Sequence, residues 1–148
     1  MLQLIFPQQI PSFWVTIKDV IGMALPPVTG EKGNKLNNIL TRLLEGTMEC
    51  WVAFSERSGE KKPNGLMLTT IISDDITETK SLLIYCMATI EGGEPDLQDY
   101  EEGIEAWKKY ARANGCNRVV AYTNLDYLVD MAEKIGGSAI YSFISFPI

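Results

Sequence analysis

The stretch that decides the fold is KSLLIYCMATI (80–90), followed by DLQDYEEGIEAWKKYARAN (96–114), RVVAYT (118–123), LDYLVDMAEKI (125–135) and AIYSFISF (139–146). Residues 81–90 are a nearly continuous apolar run of strand length, the pattern of a strand buried on both faces. Within 96–114, Leu97, Tyr100, Ile104, Trp107 and Ala111 recur at steps of three and four, which places them along one side of a helix. Gly115 supplies the stop. Residues 118–123 read as a second buried strand, 125–135 as a helix ended by Gly136-Gly137, and 139–146 as a third strand. Strands alternating with helices imply right-handed crossovers and a sheet that is parallel over this half of the chain.

Upstream the pattern becomes antiparallel. Residues 49–55 (ECWVAFS) and 66–73 (LMLTTIIS) are two strands around a polar turn region, 56–64, that ends in Asn64-Gly65. Two helices come before them. Ser12, after Pro11, is placed to cap the first, which carries Phe13, Ile17, Val20, Ile21 and Ala24 on one stripe and is stopped by Pro26-Pro27. In the second, Leu36, Ile39, Leu40, Leu43 and Leu44 repeat at helical spacing before Gly46. The whole is an α/β chain, one domain over 1–148, with a mixed sheet and helices on both faces. The uncharged apolar ends, 2–6 and 146–148, suit edge pairing or burial against a neighbouring subunit, and 2–6 reads equally as one more strand of its own sheet.

Composition excludes several classes. The 148 residues suffice for one domain with a core, and 46% hydrophobic content is that of a globular chain. No apolar run approaches the roughly twenty residues that span a bilayer, and 1–9 lacks a signal-peptide pattern, so synthesis in the cytoplasm is expected. There is no histidine, which removes Ser/His and Cys/His catalysis and the commonest metal ligands. Cys50, Cys86 and Cys116 sit far apart among apolar residues and read as buried reduced thiols, with no metal site expected. A net charge of −6 argues against a nucleic-acid surface.

The order of elements resembles the GNAT superfamily of N-acetyltransferases over roughly 11–148. The sharpest local match is 116–143 (CNRVVAYTNLDYLVDMAEKIGGSAIYSF), similar to the family's strand, asparagine, helix and EKLGF turn, with Asn124 in the asparagine position and Glu133-Lys134-Ile135-Gly136 in the turn. For an active member the resemblance implies acetyl-CoA, held at a Q/R-x-x-G-x-G/A loop whose small residues bring backbone N–H groups to the pyrophosphate at a helix start. That motif falls near Pro95, Gln98 and Tyr100, none of them the residue the pattern asks for. The nearby glycine pair is Gly92-Gly93. Glu91, Glu94, Asp96, Asp99, Glu101 and Glu102, with no Lys or Arg among them, stabilise a helix start through its dipole and repel a pyrophosphate. The tyrosine that many members place before the EKLGF turn, to protonate the departing thiolate, falls at Ala132 or Met131, and Tyr127 is the local substitute. Glu49 and Asp74-Asp75, at strand ends, are the carboxylates able to deprotonate an amine.

These departures lead to the expectation of a GNAT-like fold without acetyl-CoA: a structural or interaction protein with no catalytic and no cofactor-binding residues, joined to other protein subunits through its apolar ends. IPSFW (10–14) and LLEGTMECW (43–51) resemble small GNAT-like proteins that tailed bacteriophages encode among their virion genes, which implies a tail, connector or internal ejection component in the virion. The alternative is an acetyl-CoA-dependent N-acetyltransferase with an atypical loop. It would draw on Tyr127, Glu49 and Asp74 for proton transfer and on Gly92, Gly93 and Asn124 for the cofactor.

Overall fold

In the computed structural model, which describes residues 1–25, 34–57, 59–90 and 95–148, five strands form one sheet in chain order: β1 (Leu2–Ile5), β2 (Glu49–Arg57), β3 (Glu60–Asp74), β4 (Thr79–Thr89) and β5 (Arg118–Ala121). Neighbours from β1 to β4 are antiparallel, and β4 and β5 are parallel. Of the two readings open for the first apolar segment, the structure takes the second, since Leu2 pairs with Ala53 and Ile5 with Cys50 inside the chain's own sheet.

Helices pack on both faces because side chains alternate along the strands. Cys50, Leu66, Leu68 and Cys86 meet Ile10, Ile17 and Ile21 of α1 (Ile10–Ile21) and Ile39 and Leu43 of α2 (Lys35–Glu45). Trp51, Met67, Leu82 and Ile84 project to the other face, against Trp107 and Ala111 of α3 (Leu97–Ala113). The three cysteines are free and buried. Loss of solvation pushes the Cys50 thiol up to about 12 and the Cys86 thiol up to about 11, which leaves them protonated and unreactive.

Local signals explain most helix ends. Asp96 caps α3: its Oδ1 accepts from the Asp99 N–H at 2.9 Å while Asp99 Oδ2 accepts from the Asp96 N–H at 3.2 Å, a reciprocal pair that satisfies two of the donors a helix start leaves open. Gly46, at φ 75°, takes the left-handed conformation that closes α2. The start of α1 differs from expectation. A 3-10 turn, Pro7–Gln9, runs straight into Ile10, so Pro11 occupies the first turn, where it costs no hydrogen bond, and Ser12 lies inside the helix. The stop expected at Pro26-Pro27 lies outside the described residues.

Two further expectations are corrected. Asn64-Gly65 is not the hairpin turn: β2 and β3 stay paired out to Arg57 and Glu60, and the register shift between Ala53 and Phe54 leaves Asn64 as an extra residue within β3. Neither Asn64 nor Gly65 takes a positive φ, so the pair's turn-forming angles go unused and Asn64 is accommodated as a bulge. The third strand expected at 139–146 is absent. After α4 (Asp126–Lys134) and Gly136, at φ 91°, the chain runs to Ile148 without forming a strand. Alternation tells which residues can line a strand, whereas a strand exists only where a neighbour's backbone is within reach.

Candidate active site

β4 and β5 pair over four residues, Ser81–Ile84 against Arg118–Ala121. Beyond that point they part. β4 continues to Thr89 while the chain leaves Ala121 for α4, so the far half of β4 keeps β3 on one side and, among the described residues, has no strand on the other. The fork coincides with an irregularity: Leu68 pairs with Cys86 and Thr69 with Ile84, which makes Tyr85 an extra residue.

A cavity of about 120 Å³ opens on the α3 side of this region. Its floor is Gly65 and Met67 of β3 with Met87, Ala88 and Thr89 of β4; its walls are Pro95, Asp99, Tyr100, Gly103 and Trp107 along α3, and Leu125, Tyr127 and Leu128 at the start of α4. An added Cβ at Gly65 would lie 3.5 Å from Met67 Sδ and 3.4 Å from the Ala88 carbonyl oxygen, ordinary contact distances, so the floor does not require glycine there. Trp107 is 4% exposed. Its indole N–H is buried and, among the described residues, has no hydrogen-bond partner, an arrangement that costs about 1–3 kcal/mol unless something accepts that bond.

The sequence-based candidates divide. Tyr127 lines the cavity and is half exposed. Asn124 lies in the exposed connection between β5 and α4. Gly92 and Gly93 fall outside the described residues. Asp74 is elsewhere: in the exposed β3–β4 turn its Oδ1 accepts from the Ile76 N–H at 2.9 Å and the Thr77 N–H at 3.3 Å, bonds that hold its carboxyl below the usual range. This is a turn-forming aspartate, remote from the cavity.

Glu49 does not line that cavity: it begins β2 in the row Glu49–Thr69–Ile84–Ala121, level with the point where β4 and β5 part, beside a second cavity of about 130 Å³ lined by Leu4, Ile10, Leu43 and Tyr110. Its Oε2 accepts from Thr69 Oγ1 at 2.8 Å, Thr69 Oγ1 in turn accepts from Trp51 Nε1 at 2.8 Å, and the Tyr110 hydroxyl bonds the same carboxylate. Burial raises the Glu49 carboxyl, and burial with the facing carboxylate raises Tyr110 to about 12. The group closes on itself and ties β2, β3 and α3 together. A carboxyl raised by folding stabilises the protein below its unfolded value, and that contribution is lost as pH rises through the folded one. Glu49→Gln is therefore expected to flatten the fall in stability as pH rises above 4.5, the ordinary value, as read by urea unfolding between pH 4 and 7. An unchanged slope would contradict this account.

Sequence reasoning missed two features of the cavity. Asp99 and Trp107 were read as a helix-start charge and a core residue, and both are cavity walls as well. The spacing that put Trp107 on the buried side of α3 is visible in the sequence, but its unpaired N–H depends on what the opposite strands fail to offer. Among the described residues, no helix is long and apolar enough to cross a membrane, and no cluster of His, Cys, Asp and Glu could hold a metal ion.

A mixed sheet forked between β4 and β5, with two helices on one face and α3 on the other, is the fold of the GNAT N-acetyltransferases. Solved structures match over the whole chain: a probable acetyltransferase (TM-score 0.68, 12% identity, 97% of that chain covered); the aminoglycoside acetyltransferase meta-AAC0020 from an uncultured soil metagenomic sample, in complex with sisomicin (TM-score 0.67, 14% identity, 94% covered); and AAC(6')-Iy in complex with the bisubstrate analog CoA-S-monomethyl-acetylneamine (TM-score 0.68, 9% identity, 97% covered). No protein-family model and no curated protein sequence matches the chain. These findings overturn the expected virion structural role and the expected lack of a cofactor. Chains of this shape include acetyltransferases, one of them holding a CoA analog. The acidic stretch is legible in the sequence, whereas the cavity that Asp99 helps to line is not.

Proposed function

We propose that this chain is an acetyl-CoA-dependent N-acetyltransferase acting on a cationic amine. The observation that carries the reading is the cavity at the fork, apolar in most of its walls. An apolar cavity with a few placed polar groups is the ordinary form of a small-molecule site. Its residues fit the acyl and pantetheine part of the cofactor, because the edge of β4 beyond Ile84, unpaired among the described residues, supplies backbone donors and acceptors. Bound there, acetyl-CoA would supply a thioester open to attack by an amine. The Tyr127 residue, on the cavity wall, is placed to deliver its hydroxyl proton to a departing thiolate; the acceptor nitrogen, bound as an ammonium, first sheds a proton to water to free its lone pair, and the proton lost on amide formation returns to the phenolate.

The start of α3 fits a diphosphate less well. The Asp96 carboxylate already accepts the Asp99 N–H, and Asp99, Glu101 and Glu102 place negative charge where helix N–H groups would otherwise face a phosphate. The same charge favours an ammonium group, which supports a cationic acceptor. The sign of the salt effect follows: screening should tighten acetyl-CoA binding, opposite to a basic phosphate site. Isothermal titration is expected to give a Kd of roughly 10–100 μM, about −6 kcal/mol, tightening between low and moderate salt. Glu101→Gln is expected to strengthen binding about twofold at low salt. No binding at millimolar acetyl-CoA would overturn the reading.

A further inference from the structure

The second cavity, of about 130 Å³, lies at the corner of the sheet where β1 ends and β2 begins, and side chains from both helix layers line it: Ile10 of α1 and Leu43 of α2 from one side, Tyr110 of α3 from the other. The space follows from two neighbouring chain stops. β1 gives way after Ile5 to the turn at Pro7, and α2 closes on Gly46, which brings no side chain. Leu4, Ile5 and Met48 complete the apolar wall, and the polar side chains lining the space are Glu49 and Tyr110.

Glu49 is half-buried and, among the described residues, forms no salt bridge. A carboxylate withdrawn from water asks for a cation or a full set of donors. It presents about four acceptor positions; Thr69 Oγ1, the Tyr110 hydroxyl and the residue's own N–H take three of them, so one is left. The walls decide what can use it. A bare metal ion would meet too few oxygens, and among the described residues no cluster of ligating side chains exists. A guanidinium would leave several of its N–H donors against leucine and isoleucine side chains. An ammonium group is compact enough to reach Glu49 and the Tyr110 oxygen together while its hydrocarbon faces the apolar wall. An apolar cavity of about 150 Å³ takes a benzene-sized hydrocarbon, so this one suits an ion of roughly four or five carbon atoms.

We propose that this cavity is a binding site for a small primary alkylammonium ion, with its nitrogen on Glu49 and Tyr110 and its hydrocarbon against Leu4, Ile10 and Leu43. A cation there also offsets the burial that raises the Glu49 carboxyl. The bound ion touches the turn at Pro7, α1, α2 and α3 at once, so it stabilises the folded chain by mass action. The two cavities share no lining residue, and the site stands whether or not acetyl transfer occurs at the fork.

The probe is isobutylammonium chloride, titrated into the full chain at constant ionic strength while methyl resonances are followed. Those of Leu4, Ile10, Leu43 and Met48 are expected to shift together and to saturate with a Kd of about 1–10 mM. Isobutanol and isobutyrate keep the hydrocarbon without the positive charge and should bind at least about 10-fold more weakly. Glu49→Gln should abolish the preference for the amine over the alcohol, and Leu4→Phe, which fills the cavity from a half-buried position, should remove binding of both, each with an unchanged circular dichroism spectrum. The comparison of the three probes on the unaltered chain depends on neither variant folding. No saturation by about 100 mM, equal affinity for isobutanol, a preference that survives Glu49→Gln, or shifts confined to Met67 and Met87 at the fork would each overturn the proposal, the last by placing the amine in the acceptor site of the proposed acetyltransferase.

Discussion

Trp107→Ala is expected to lower the free energy of unfolding by about 2–4 kcal/mol, a large share of what a domain of this size possesses. Truncating a buried tryptophan costs about 3–5 kcal/mol in lost contacts and residual cavity. Here the side chain is 4% exposed and packs with Trp51, Met67, Leu82 and Ala111. Some of the loss is returned, because the substitution also removes a buried N–H without a partner. Urea unfolding with far-ultraviolet detection would measure it, and a loss below about 1 kcal/mol would mean that Trp107 does not join α3 to the sheet. Trp107→Phe separates the two roles: it keeps an aromatic ring in place and removes the donor, so it should retain the fold.

Tyr127→Phe is expected to reduce kcat for acetyl transfer about 100-fold, near 2.7 kcal/mol of activation free energy, with KM for acetyl-CoA little changed. The side chain is 56% exposed on the cavity wall, so losing its hydroxyl removes a proton donor while leaving the packing of α4 intact. Unaltered kcat with a cationic amine acceptor would show that the thiolate takes its proton elsewhere, from Tyr100 or from water. Unaltered kcat with an altered KM would place Tyr127 in binding alone.

The architecture was legible because its main elements carry their own signals. The period of Ile104, Trp107 and Ala111, the stop at Gly115 and the unbroken run 81–90 each name a helix or strand without reference to the rest of the molecule. What was misread depends on partners. Asn64-Gly65 is a bulge because β2 continues opposite it, Ser12 is no cap because Pro7–Gln9 already turns the chain, and 139–146 forms no strand because nothing pairs with it. The site divides the same way. Tyr127, chosen as a local substitute for a motif tyrosine missing at Ala132 or Met131, lines the cavity. Glu49 and Asp74 were chosen for lying at strand ends; pairing puts Asp74 away from the fork and Glu49 level with it, but outside the cavity. Charge at the start of α3 is legible in the sequence, but the reading built on it, that no cofactor binds, is overturned by the structural likenesses, and a cavity is a volume that no single segment encodes.

The extra residue in β4 acts as a switch of parity. Ile84 and Met87 face α3 although three positions separate them, since Tyr85 and Cys86 both lie toward α1 and α2. Were Tyr85 paired in register instead, with no bulge, every later side chain up to Thr89 would change faces and Met87 would leave the cavity floor. Deleting Tyr85 removes the bulge and leaves Cys86 toward α1 and α2 and Met87 toward α3, whereas deleting Met87 brings Ala88 opposite Met67 and turns over the side chains that follow. The chemistry at the fork is thus set by a count of residues as much as by their identity, and deletion of Met87 should be more damaging than deletion of Tyr85.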